Sequence, residues 1–293
     1  MILMTGASGR TTSIIIREFI KQRTKVRALV RERRTATEFD SSPYVELVEG
    51  RIGDPSTLTS ALKGIGDVLL ISSPRGAMMR DQCSFIDTAK ATGIRRIVKF
   101  SGRETGLHFV SENFSGTRDH ERIEHYLEES GLAWTHLRPS QFMQTYLDEL
   151  PSIKTNQKLI RPMGDARVSP VDICDVAKVA YRVLTENGHE GIRYELTGPE
   201  ALTMAEAAEV ISKATSQHIP YWDVSPTEHS RFMREEGAPP PVVELLAQLY
   251  AERRKSRFSS VSLEPYKKFG LVPASFDEFA REHADQWRSE MRR

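Results

Sequence analysis

The sequence predicts an α/β protein: a doubly wound, mostly parallel sheet with a smaller, mostly helical lobe after it. Three observations carry this. The chain opens on a short apolar strand, Ile2-Leu3-Met4, a turn, Thr5-Gly6-Ala7-Ser8-Gly9, and an apolar helix over 13–20. Apolar runs then alternate with helical patterns as far as residue 142, as parallel strands joined by crossover helices do. Beyond residue 150 the alternation stops and helical patterns dominate.

The opening turn has a specific chemistry. It delivers the chain to a helix N-terminus, where unpaired N–H groups and the helix dipole favour an anion. Gly6 and Gly9 keep side chains away, so main-chain amides can approach a pyrophosphate, as in a Rossmann-type dinucleotide site. Ser8, Thr11 and Thr12 add hydroxyl donors and Arg10 a charge. Thr12 stands where the full fingerprint has a third small residue, so the helix is expected slightly further from the sheet.

The second strand, 26–30, follows roughly 20 residues on, as a Rossmann unit requires. A carboxylate at its end would favour NAD; Arg31 stands there instead, with Arg33 and Arg34 close behind. Guanidinium forks suit a 2′-phosphate, so NADP (as NADPH) is expected over NAD, although Glu32 lies among the arginines. A third strand, 44–48, leads into Gly50-Arg51-Ile52-Gly53-Asp54-Pro55, where Asp54 reads as a helix cap before a first-turn proline. The fourth strand, 67–71, is continuously apolar, as in a strand covered on both faces, and runs into Ser72-Ser73-Pro74. A helix over 79–92, a fifth strand over 96–100 ending at Ser101-Gly102, a helix over 120–130 and a sixth strand over 133–137 complete the pattern. The sixth strand ends at Arg138-Pro139-Ser140-Gln141-Phe142.

Ligands of such sheets sit beyond the strand carboxyl ends. The division expected is a dinucleotide-binding domain over 1–150, rejoined by about 168–200, and a smaller substrate or partner lobe over 151–293. In that lobe helices are expected over 171–185, 204–216, 226–236, 242–254 and 276–287, and short strands over 158–161, 193–196 and 219–222. Gly237-Ala-Pro-Pro-Pro241 reads as a break.

Composition narrows the classes. Lys+Arg 41 against Asp+Glu 40 leaves net +1, with no electrostatic case for nucleic acid or a membrane surface. No apolar run approaches the ~20 residues of a bilayer span, and a strand beginning at the first residues leaves no room for a signal peptide. Cys83 and Cys174 are isolated thiols and the eight histidines are dispersed, so no metal site is expected and a cytoplasmic location is.

Several blocks together resemble the NmrA-like family of atypical short-chain dehydrogenases/reductases. They are Thr5-Gly-Ala-Ser-Gly9, Val30-Arg31, Phe100-Ser-Gly102, 130–139, Val171-Asp-Ile-Cys-Asp-Val-Ala177 and Tyr194-Glu-Leu-Thr-Gly-Pro199, with 276–284 near the end. The family comprises NADPH-dependent reductases of quinones, azo dyes, triphenylmethane dyes and iminium compounds, and also non-catalytic NADP sensors acting on partner proteins. The resemblance implies a phosphate loop at Gly6, Ser8, Gly9, Arg10, Thr11 and Thr12, and a 2′-phosphate contact at Arg31. It places Ser72, Ser73 and Pro74 along the ribose and pyrophosphate, and Ser101, Gly102, Pro139, Ser140 and Phe142 around the nicotinamide. Arg51 replaces the family's frequent aspartate near adenine, leaving that role to Ile52 and backbone or to stacking by Arg51.

The Tyr-x-x-x-Lys pair of typical short-chain dehydrogenases is missing; Gly116 and His120 occupy the aligned positions. Quinones, iminium ions and triarylmethyl cations accept hydride without that acid, given orientation and an aromatic pocket. Phe142, Tyr146, Trp222, Phe232 and Tyr250 are the candidates for a pocket that would take a small aromatic, quinone-like or imine acceptor, though each taken alone reads more readily as an ordinary core aromatic. His120 is the candidate catalytic residue, as a ribose contact or a proton relay near neutral pH, against the plainer reading of a helix-start histidine. Two functions follow: a reductase, or a sensor docking on a protein partner.

Overall fold

The computed structural model describes residues 1–73, 77–105, 115–149, 153, 155–255 and 259–288. Contacts divide the chain into two compact units: Met1–Thr105, Gly116–Arg138 and Ile173–Tyr194 form the first; Gly106–Ser115, Pro139–Asp172 and Glu195–Arg293 the second.

The first unit follows the alternating pattern in order: β1 (Ile2–Met4), α1 (Arg10–Lys21), β2 (Val26–Val30), β3 (Val45–Glu49), α2 (Pro55–Ala61), β4 (Asp67–Leu70), α3 (Met78–Ala91), β5 (Arg96–Phe100), α4 (Ser115–Glu129) and β6 (Ala133–Pro139). The seven-stranded sheet has the order β3-β2-β1-β4-β5-β6-β8, with β8 (Ile192–Leu196) following a later helix. Pairings from β3 across to β6 are parallel; Leu3 faces Arg27 on one side and Val68 on the other. The crossing from β1 outward to β3 and back to β4 makes the fold Rossmann-type.

Every residue of β4 and β5 is buried, as in strands covered by helices on both faces. Leu3, Val68, Phe85, Ile97 and Leu127 belong to one core cluster. Two cations lie within β5 itself. Arg96 is satisfied by Asp67 Oδ1 at 3.3 Å and by the Leu184 and Glu186 carbonyls at 3.2 and 3.3 Å. Lys99 is the other.

Local chemistry explains some helix starts and tertiary packing others. Asp54 Oδ1 accepts from the Ser56 N–H at 3.0 Å, with Pro55 opening α2. Helix α4 begins at Ser115, five residues before the expected start, and Thr117 there is buried, so tertiary packing extends the helix beyond its apolar stripe.

The second unit contains β7 (Leu159–Arg161) and its parallel partner β9, residues Tyr221–Asp223, around a cluster of Tyr146, Phe276, Phe279 and Trp287. Its helices are α6 (Met204–Thr215), α7 (Pro226–Glu235), α8 (Pro240–Arg253), α9 (Glu264–Phe269), α10 (Phe276–Glu282) and α11 (Ala284–Arg288); α5 (Ile173–Thr185) belongs to the first unit. The break expected over 237–241 lies at 236–239, between α7 and α8, and α8 starts two residues before the expected 242 because Pro240 and Pro241 occupy first-turn positions where no N–H is needed. One expectation is corrected. The pattern over 276–287 is two helices parted at His283, whose Nδ1 donates to the Phe279 carbonyl at 2.9 Å and competes with the helix ladder. No described helix is long and apolar enough to cross a membrane.

Candidate functional site

The site is built at the carboxyl ends of β1 to β4. Thr5 Oγ1 donates to the Ile71 carbonyl at 2.7 Å and accepts from the Ile71 N–H at 2.9 Å, stitching the tips of β1 and β4 together. The chain then turns at Gly6, whose φ of +67° suits glycine, and a Cβ there would lie 3.0 Å from the Ile71 carbonyl oxygen. Gly9 N–H donates back to the Gly6 carbonyl at 2.9 Å and α1 starts at the next residue. Gly9 has no side chain to cap α1, so the first-turn amides are not covered by one.

These residues open onto a groove of about 590 Å³. Gly6, Ser8, Gly9, Arg31, Arg51, Ile52, Ser72 and Ser73, eight of the expected cofactor residues, line it together. Arg31 is exposed and makes no ion pair among the described residues, whereas Arg33 holds Asp40 at 2.9 Å and Arg34 holds Glu32 at 2.6 Å. The glutamate among the arginines is thereby taken up. Gln82 Nε2 donates to Ser72 Oγ at 2.8 Å and orients that hydroxyl. Pro74 lies outside the described residues.

One expected donor faces inward. Thr12 is buried and its hydroxyl donates to the Thr5 carbonyl at 3.2 Å, so this side chain binds helix to strand; only its main-chain N–H remains for an anion. Arg10 and Thr11 stand in the same first turn, at the helix surface.

Beside the carboxyl end of β5 the expected Ser101 and His120 are joined by two residues that motif reading missed, Lys99 and Glu124. Lys99, fully buried, donates to Ser101 Oγ at 2.9 Å and stands 3.0 Å from His120 Nδ1. Ser101 also hydrogen-bonds the Glu124 carboxylate, and Arg138 clamps Glu124 with both guanidinium arms, one at 3.2 Å. Burial pulls Lys99 down to about 7, against the pull of Glu124. Burial and the Lys99 cation hold His120 well below its ordinary value, so its ring is neutral near pH 7. The signal available in the sequence was a lysine inside an otherwise apolar, doubly covered strand. Gly102 follows at the same strand end, partly buried.

Glu124, Glu128 and His136 bring possible metal-ligand atoms within 4.8 Å of one another. Arg138 and Arg193 already neutralise the two carboxylates, which makes the cluster an ion-pair network.

The remaining expected residues belong to the second unit. Pro139 is buried, the Ser140 N–H donates to the Leu196 carbonyl at 2.8 Å, and Phe142, partly buried, bridges to Val171. Trp222 and Phe232 line a groove of about 370 Å³ with Glu149, Ile160, His229 and Glu236. Their rings lie 6.3 Å apart, and Lys158 Nζ sits 4.5 Å above Trp222, which is 44% exposed. Burial pulls His229 down to about 4, so it faces the groove as a neutral imidazole. Tyr146 and Tyr250 are corrected to core residues: Tyr146 has no exposed surface and packs on Phe276 at 4.6 Å, and Tyr250 is buried against the His229 ring.

Fold and groove together define a Rossmann-type α/β protein whose strand tips present main-chain amides and a free guanidinium. Residues 1–277 match the NmrA-like family, and the chain belongs to that family. It is 30% identical over 291 residues to an NAD(P)H azoreductase of Xenophilus azovorans, covering 97% of this chain and 98% of that protein. It is 30% identical over 250 residues to quinone oxidoreductase 2 of Escherichia coli, covering 84% and 86%. The NADPH-complexed structure of the Escherichia coli NADPH-dependent quinone oxidoreductase superposes with a TM-score of 0.86 at 27% identity, over 96% of this chain and 99% of that one. A Citrobacter triphenylmethane reductase shares the fold, with a TM-score of 0.85 at 22% identity over 97% and 100%.

Proposed function

We propose that the protein is an NADPH-dependent reductase of small aromatic acceptors of the quinone, azo or iminium type. The observation that carries this is the groove at Gly6 and Gly9 with Arg31 unpaired at its edge. The residues fit the cofactor: two missing Cβ atoms make room for a diphosphate, an uncapped helix end supplies its amides, and a guanidinium at the tip of β2 suits a 2′-phosphate. The relatives that act on azo compounds and quinones support the same reading.

Gly6, Ser8, Gly9 and the amides of residues 10–12 would hold the diphosphate; Ser72 and Ser73 would hold the ribose; Arg51 or Ile52 would flank adenine. Bound there, a reduced nicotinamide supplies hydride. Ser101, Gly102 and His120 would border it. Trp222 and Phe232 are the proposed aromatic surface for the acceptor, with His229 as a neutral donor. The protein's own contribution is proximity and orientation. Oxidation of NADPH at 340 nm with a panel of quinones, azo dyes and triarylmethyl cations tests the proposal; turnover of at least one class is expected, and oxidation by none of them overturns it.

The departure at Gly116, where a tyrosine acid is absent, favours a second reading, an NADP(H) sensor acting through a partner protein. Binding of the cofactor without turnover, together with co-purification of a regulator, would select it.

A further inference from the structure

We propose that Lys99 is the proton source for His120, so that a proton passes from the Lys99 ammonium through the His120 ring to the acceptor oxygen. The inference rests on the reductase reading above and adds a residue and a route to it.

The geometry is direct. Lys99 Nζ lies 3.0 Å from His120 Nδ1. As an ammonium Lys99 has only donors, so in that charge state Nδ1 accepts and the ring proton is on Nε2. Among the described residues Nε2 has no hydrogen-bond partner, and His120 is only half-buried. The ring therefore takes a proton on its buried side and offers one on its accessible side, beside the carboxyl end of β5.

A buried lysine is costly in an interior strand, and an apolar residue would fit this pattern. The neighbours supply hydrogen bonds more than net charge. Glu124 on α4 is neutralised by Arg138 on β6, His136 on β6 is held neutral by burial, and Cys83 on α3 is pushed up by its own burial. Lys99 thus sits near half protonation at neutral pH, where a donor is most effective.

The step balances for a quinone. Hydride brings two electrons and one hydrogen and leaves an oxyanion on the acceptor. The His120 Nε2–H bond breaks as the acceptor O–H bond forms. One Lys99 Nζ–H bond breaks as His120 Nδ1–H forms, so the ring stays neutral and changes tautomer. Lys99, left as an amine, is recharged from solvent. A triarylmethyl cation needs only the hydride and draws no proton through the pair.

Three proteins decide this: wild type, Lys99→Met and Lys99→Arg, assayed from pH 5.5 to 9 with a quinone and with a triarylmethyl cation. Wild type is expected to lose quinone kcat as pH rises through about 7. In Lys99→Met the quinone-to-cation ratio of kcat falls at least about tenfold and the limb disappears, with the KM for NADPH little changed. Lys99→Arg holds charge that it cannot release and shows the same loss of the quinone-to-cation ratio. Equal losses for both acceptors, or a limb that survives in Lys99→Met, would overturn the relay. A readout independent of turnover is NMR of cofactor-free protein. The Lys99 side-chain carbon next to nitrogen should titrate near 7 in wild type, and His120 should lose its fixed Nε2–H tautomer in Lys99→Met. A Lys99 titrating near its ordinary value sinks the relay even if the reductase reading stands. Failure of NADPH to bind sinks the reductase reading and leaves the Lys99–His120 pair to be judged by NMR.

Discussion

The groove in the first unit is walled by four glycines, a helix start, the ends of four strands, and two arginines, Arg31 and Arg51, that make no ion pair among the described residues. The groove in the second unit is walled by side chains, an indole, a phenyl ring, an imidazole and carboxylates carried on separate helices and strands. The first arrangement recognises one shape of ligand and tolerates little change, because backbone amides cannot be moved independently of the fold. The second offers apolar area and a few polar groups, and its specificity can shift with single substitutions. A conserved cofactor with a variable acceptor is what this contrast would serve.

The sharpest separation of scaffold from site is within the aromatic set itself. Tyr146→Ala is expected to cost about 3–5 kcal/mol, since the ring is wholly buried against Phe276 and its neighbours. Chemical denaturation measures it, and a loss below about 1 kcal/mol would return Tyr146 to the candidates for the acceptor surface. Next, Gly9→Asp should abolish tight cofactor binding, by about 100-fold or more, while leaving the fold intact. The φ of Gly9 is −91°, open to any residue; a Cβ there would lie 3.2 Å from the Gly6 carbonyl oxygen, so the turn must shift slightly, and aspartate is a good helix cap whose carboxylate takes the amides a diphosphate needs. Unchanged affinity would show that the anion does not bind there.

Buried histidines give a pH test. Burial holds His136 in the first unit and His229 in the second at about 4, below the ordinary 6.5. The unfolded chain therefore binds more protons between those values, and stability falls as pH drops from 6.5 towards 4, by at most about 1.4 kcal/mol per pH unit for each histidine. His229→Phe should flatten its share of that slope, as read by denaturation at pH 4.5 and 7; an unaltered slope would mean that His229 is not held neutral. Arg31→Ala should narrow the preference for NADPH over NADH by about tenfold, with little change in melting temperature, because the side chain is exposed. Equal losses for both cofactors would place Arg31 away from the 2′-phosphate. The smallest effect expected is for Trp222→Ala, a rise of about fivefold in acceptor KM with NADPH affinity unchanged. A fall in NADPH affinity instead would move Trp222 out of the acceptor surface.

Legibility in the sequence followed the same division. The alternation of strands and helices and the groove at Gly6, Arg31, Ile52 and Ser72 were readable because periodicity and a glycine turn are local signals. Thr12 was misjudged because only tertiary structure shows that its hydroxyl meets the Thr5 carbonyl. Tyr146 and Trp222 are alike in composition terms; burial alone separates them. The Pro240-Pro241 helix start was hidden because prolines break a helix interior and open a first turn with equal ease. Lys99 and Glu124 lie 25 residues apart, and nothing local ties a lysine in β5 to a glutamate in α4.

The most direct measurement is calorimetric titration of the purified protein with NADPH and with NADH, with the melting temperature followed in parallel. The account predicts saturable binding of both, tighter for NADPH, and a melting temperature that rises with ligand concentration. Absence of heat and of any thermal shift with either dinucleotide would contradict it.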